Sequence, residues 1–90
     1  MNYLHYQFDL SPHDAIQVVL DRQANVRLLD EVNYQKYRRG EHHQYYGGLA
    51  KTTSVTLEAP REGRWHLVID LGGYPGRVRA AVEKLSKAQA

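Results

Sequence analysis

Apolar side chains recur at every second position through most of this chain, and that period decides what it can fold into. In NYLHYQFDL, Leu4, Tyr6, Phe8 and Leu10 fall on one side of an extended backbone, with Tyr3, His5, Gln7 and Asp9 on the other. The Ser-Pro-His-Asp run that follows supplies turn chemistry. Alternation resumes with Ile16, Val18 and Leu20, and again with Val26 and Leu28 beyond a polar Arg-Gln pair. Val55, Leu57 and Ala59 repeat it ahead of Pro60. The strongest pattern sets Trp65, Leu67, Ile69 and Leu71 against His66, Val68 and Asp70. Last come Val78, Ala80 and Val82, which lead into a segment made almost wholly of helix formers. A strand is expected to about Val82, with a fraying or helical tail at 83–90.

One stretch breaks the period. Asp30 is suited to cap a helix, Glu31 would sit in its first turn, and Lys36, Arg38 and Arg39 in its last. Gly40 can take the left-handed closing position. A short helix over Asp30–Arg39 is predicted, with Tyr34 and Tyr37 three apart on one side. Alone it is too short to persist, so its tyrosines must dock on a sheet.

About six short strands with turns roughly every eight to twelve residues predict an all-β fold: a small, jelly-roll-like β-sandwich with one short helix. Ninety residues leave too little chain for a second core. One domain is therefore expected over 1–90, its sandwich occupying about 2–82. The predicted core is Leu4, Tyr6, Phe8, Ile16, Val18, Leu20, Val26, Leu28, Val55, Leu57, Trp65, Leu67, Ile69 and Val78. Seven tyrosines against one Phe and one Trp fit thin layers with few wholly enclosed positions. So small a core makes self-association through a sheet edge, as a homodimer, an expectation to test.

Composition removes several chemistries. The absence of cysteine excludes disulfide frameworks, zinc–thiolate sites and thiol nucleophiles. The first residues carry charge and histidine rather than a basic segment followed by an apolar one, so no export leader is expected. No apolar run approaches the ~20 residues that span a bilayer, and a cytoplasmic location with no membrane partner is expected. Charge is uneven: residues 1–31 hold five acids against two arginines, and residues 32–90 hold ten Lys or Arg against five acids.

The stretch YRRGEHHQYYGG, Tyr37 to Gly48, concentrates the chemistry-bearing side chains. Adjacent His42 and His43 on an extended segment point to opposite sides, and no H-x-H, H-x-x-H or H-E-x-x-H spacing occurs, so no metal or other cofactor is expected. Ser54 and Ser86 lack a nucleophile-elbow context. His66 and Asp70 share a strand face about 13 Å apart, too far for a direct bond. Catalysis would need two of His5, His42, His43 and His66 to meet an acid in a cleft, so no enzyme is predicted. The paired glycines match no nucleotide-binding loop and read as bends. A polar loop on a rigid sandwich is where recognition usually sits. The candidate ligand or partner surface is therefore Tyr37, Arg38, Arg39, His42, His43, Tyr45, Tyr46, Arg77 and Arg79. Its first reading is a module that binds a protein partner. The alternative is an anionic ligand, a nucleotide or single-stranded nucleic acid, gripped by arginines and stacked on tyrosines.

Four strings taken together, NYLHY, QANVRLLDEVNYQKYRRG, YYGG and GRWHLVIDLGGYPGRVRA, resemble a small bacterial family known as a domain of unknown function, number eighteen eighty-three. The similarity spans roughly Asn2 to Val82 and brings no established catalytic or ligand residues with it. Members of that family are at times joined to signalling domains of the TIR type, which implies an accessory sensing or docking role. The layout also resembles, as a pattern, the jelly-roll sandwiches of Golgi-dynamics-type domains, and that resemblance implies the fold alone.

Overall fold

A computed structural model describes residues 3–86. In it the two-residue period becomes seven strands: β1 (Leu4–Leu10), β2 (Ala15–Leu20), β3 (Ala24–Asp30), β4 (Tyr46–Ala50), β5 (Ser54–Glu58), β6 (Gly63–Asp70) and β7 (Ala80–Leu85). One helix, α1 (Glu31–Arg38), interrupts them. They form a four-stranded sheet in the order β1-β6-β3-β4 and a three-stranded sheet in the order β5-β2-β7. Every pairing is antiparallel.

Every residue of the predicted core enters one apolar cluster. Ile16, Val18, Leu20, Val26, Leu28, Trp65, Leu67 and Ile69 are buried, and Leu4, Tyr6, Phe8, Val55, Leu57 and Val78 pack around them half-buried. Leu10, Ala24, Ala50 and Ala59 are buried with them.

Three sequence expectations are corrected. There are seven strands among the described residues, not about six. The added one, β4, reads Tyr-Gly-Gly-Leu-Ala and has no apolar alternation to announce it. Its Gly47, at φ +109°, runs so close to β3 that a Cβ would strike the Val26 carbonyl. Second, the last strand covers Ala80–Leu85 and does not stop at Val82. Glu83, Lys84 and Leu85 lie opposite Gln17, Ile16 and Ala15 of β2, so ladder hydrogen bonds override the helix preference of this segment. The rest of the expected tail, residues 87–90, lies outside the described residues, as does residue 2. Third, Val78 packs on the core from the connection before β7, not from within the strand.

The helix forms where its caps predict. Asp30 accepts from the Asn33 backbone N–H at 2.8 Å. At the other end Gly40 takes φ +73°, its N–H bonds to the Tyr37 carbonyl at 3.1 Å, and the Glu41 N–H bonds to the Lys36 carbonyl at 2.9 Å. That double closure is a Schellman motif. Tyr34 and Tyr37 face inward and form a second apolar cluster with Leu29, Val68 and Tyr3. α1 therefore lies over the outer face of the four-stranded sheet and encloses His66, Val68 and Asp70 of β6. Among the described residues no helix is long and apolar enough to cross a membrane.

Candidate functional site

Alternation and register decide which side chains gather beneath α1. His5 on β1 and His66 and Asp70 on β6 point away from the core, as do Asn25 and Arg27 on β3, where Asn25 lies directly opposite Asp70. Two hydrogen-bonded groups result. In the first, Asp70 accepts from Asn25 Nδ2 at 3.0 Å, the Gly72 N–H at 2.8 Å, the Tyr37 hydroxyl at 2.7 Å and the Arg27 guanidinium. Burial pushes the Asp70 carboxyl up, but these donors outweigh it and leave it below the usual carboxylate range. Burial and the neighbouring Asp70 charge push the Tyr37 phenol up.

In the second group, His66 Nε2 lies 2.9 Å from Glu31 Oε1, His66 Nδ1 lies 2.8 Å from His5 Nε2, and His5 Nδ1 lies 3.2 Å from the Tyr34 hydroxyl. The Tyr34 ring stacks on His66 at 4.1 Å and on His5 at 4.3 Å. Two of the histidines named as a condition for catalysis thus do meet an acid. Three of their four ring nitrogens, however, are turned towards one another or towards Glu31, and the Tyr34 ring covers a face of both imidazoles. Among the described residues no group of three or more His, Asp or Glu is placed to hold a metal ion.

The predicted recognition surface divides. Tyr37 is buried and belongs to the sheet cover, so it is not a surface group. Arg38 lies over the Tyr34 ring at 5.9 Å, and Arg39 bonds to Glu41 at 2.6 Å. His42 is exposed. His43 gives its Nδ1–H to the Glu41 carbonyl at 2.9 Å and stands between the rings of Tyr37, at 5.3 Å, and Tyr45, at 5.6 Å. Arg27 slots between those same tyrosines, 5.6 Å and 5.2 Å from their centroids. Tyr45 and Tyr46 go to opposite sides as their adjacency requires, but neither enters the core: they remain 43% and 46% exposed, Tyr46 leaning edge-on against Trp65. Arg77 and Arg79 belong to a separate place, the connection between β6 and β7. There the Arg79 N–H bonds to Asp21 at 2.8 Å and the Arg77 carbonyl accepts from Arg22 at 3.4 Å.

Next to Tyr45 and Tyr46 opens a groove of about 530 Å³. β4 ends opposite Leu28 while β3 runs on to Asp30, and the gap left beyond β4 forms the floor. His43, Gln44, Tyr45 and Tyr46 make one wall, and Asp30, Asn33 and Arg61 line the other. That second wall is braced: Arg61 bonds to Asp30 at 2.7 Å, Asp30 holds Asn33, and Asn33 Oδ1 accepts the Gln44 N–H at 2.9 Å. Trp65, at the floor, gives its indole N–H to the Arg61 carbonyl at 3.1 Å. Sequence reasoning missed Asp30, Asn33, Arg61 and Trp65 as lining residues because they come from three segments that only the fold brings together.

A two-sheet antiparallel sandwich with a capped helix over one outer face and an aromatic groove at that helix's N-terminal end is the class of protein these elements define. Within it, the chain belongs to the family described as "Domain of unknown function (DUF1883)", whose model matches residues 1–88. No curated protein and no solved structure matches the chain.

Proposed function

We propose that this domain is a non-enzymatic binding module that docks an extended, weakly charged segment of another protein in the groove beside Tyr45 and Tyr46. One observation carries the reading. The groove presents two half-exposed tyrosines on one wall, facing a second wall whose charges are already neutralised, since Asp30 and Arg61 pair with each other. Tyrosine supplies large contact area at low entropic cost and is enriched at protein interfaces. A neutral, aromatic-walled groove favours a chain that brings apolar surface and backbone hydrogen bonds over one that brings charge.

The anionic-ligand reading has less support. Of the arginines it calls on, Arg39 is paired with Glu41, and Arg77 and Arg79 belong to the connection between β6 and β7, apart from Arg38 and Arg39 at the end of α1. Catalysis has less still, because both nitrogens of His66 and the Nε2 of His5 are taken up by bonds within the His5–His66–Glu31 group.

The test is selection of a displayed peptide library on the intact domain, counter-screened on Tyr45→Ser and Tyr46→Ser. The expected result is peptides of low net charge whose affinity falls at least about tenfold in the variants and changes little with salt. Selection of no peptide that depends on these tyrosines, or steeply salt-dependent binding of a single-stranded oligonucleotide, would overturn the proposal.

A further inference from the structure

Four strands stand at the edges of the two sheets, and three of them are blunted. β4 carries Gly47 and Gly48 at positive φ, +109° and +146°, which spoils the pleat that a further strand would need. β5 is only five residues long, and β7 holds Glu83 and Lys84. β1 has none of these devices. It runs for seven residues in unbroken register with β6 and contains no Gly, Pro or Lys. Its far side is the longest open edge among the described residues.

That edge is complementary to itself. A two-fold axis beside Gln7 lays a second copy of β1 antiparallel to the first, with Leu4 opposite Leu10, Tyr6 opposite Phe8 and His5 opposite Asp9. Polar pairs then fall on the outer face and apolar pairs on the inner one. Tyr6 and Phe8, half-buried at the rim of the core, each gain an aromatic neighbour. On the outer face, the Asp9 side chain is 84% accessible and its own chain offers it Arg64 at 3.7 Å. Arg38 bonds to the neutral Gln35 at 3.2 Å and to no carboxylate among the described residues. It lies over Tyr34, which stacks on His5, and its charge is felt at His5. Centring on Gln7 therefore brings each Asp9 to the His5 and Arg38 of the other copy. Centring on Tyr6 would set Asp9 against Tyr3, centring on Phe8 would set it against Gln7, and centring on Asp9 would oppose two carboxylates.

We propose that β1 pairs antiparallel with β1 of a second copy, centred on Gln7, and so joins two four-stranded sheets into one of eight strands. Lys84 of β7 donates to the Asp9 carbonyl at 2.9 Å, and that oxygen keeps a second lone pair for the partner strand. The groove beside Tyr45 and Tyr46 lies at β4, the opposite edge of the same sheet. Pairing through β1 leaves both grooves open and makes the dimer bivalent for whatever they take. The pairing itself needs nothing from the groove and stands even if the groove binds no peptide.

Sedimentation of the whole chain, without any peptide, tests it. At tens of micromolar the mass should be twice the 10.4 kDa of one chain. Asp9→Lys alters an exposed side chain and should weaken association at least about tenfold, because it sets like charges against each other across the pair. Combining it with Arg38→Glu should restore most of that loss. A second measurement fixes the register. The chain has no cysteine, so Gln7→Cys places its one thiol beside its own copy at the two-fold axis. Mild oxidation should cross-link that variant far faster than Thr56→Cys on β5. A monomer mass, an Asp9→Lys chain that associates like the wild type, a double variant no better than the single one, or equal cross-linking of the two thiols would each overturn the pairing.

Discussion

Strand β6 sends Trp65, Leu67 and Ile69 to one face of its sheet and His66, Val68 and Asp70 to the other, and all six are shut off from solvent. The inner face is closed by a second sheet and needs only apolar volume. The outer face is closed by a single eight-residue helix, and its polar groups must find partners within a few ångströms. Inner residues are held by packing, which tolerates conservative exchange. Outer residues are held by directional bonds, which do not. The same strand therefore carries two kinds of stability, one insensitive to pH and one tied to it.

The sharpest way to separate them is Asp70→Asn. Arg27, largely buried itself, would lose its counter-charge, and an amide would replace an acceptor of four bonds. Removing one partner of a buried pair costs about 3–5 kcal/mol. Urea unfolding should show that loss at neutral pH. It should also show a flatter acid limb. The wild-type carboxyl, held low by its donors, contributes stability that is present above its unfolded-state pKa and lost as pH falls through its folded one. A loss below about 1 kcal/mol would mean that the outer face is held by the helix's apolar contacts alone.

Leu67→Ala is the inner-face counterpart. It deletes a fully buried side chain between the sheets and should cost about 3 kcal/mol. The loss should be the same at acid and neutral pH, with the acid limb unchanged in slope. A pH-dependent loss here would break the division between the faces.

That division also explains what could be read from the sequence. Period two gave the inner face because each inward position is apolar, and the same alternation put His66 and Asp70 together on the opposite face. What it could not give was the cover. Tyr34 and Tyr37 were expected to dock on a sheet, but which face received them depends on β3 and β6 being neighbours, a pairing about 40 residues apart in the chain. So Tyr37 was assigned to a recognition surface, and Glu31, read only as a first-turn residue of the helix, was not joined to His5 and His66. Tyr45 and Tyr46, at the entry to β4, were assigned from chemistry alone and remain about half exposed. The opposing wall of Asp30, Asn33 and Arg61 was beyond reach, because one of its residues is a helix cap and another belongs to the connection between β5 and β6.

Tyr37→Phe makes the smallest of these changes and divides the outer face further. The ring stays, with its contacts to Leu29, Val68 and the edge of Tyr3, and only the hydroxyl bonded to Asp70 at 2.7 Å is removed. Asp70 keeps Asn25, Gly72 and Arg27, so the loss should be that of one hydrogen bond to a charged group, about 1.5–2 kcal/mol. The variant also carries a signature at high pH. Burial and Asp70 hold the folded phenol above its unfolded value near 10, so its contribution is present below that value and fades as the pH climbs towards the folded one. Tyr37→Phe should therefore unfold less steeply with rising pH than the wild type, leaving the remainder of the alkaline limb to Tyr34, whose phenol is pushed up to about 12. If the alkaline limb is unchanged, the helix is held over the sheet by its rings alone, and the hydroxyl–carboxylate bond is incidental to the closure of the outer face.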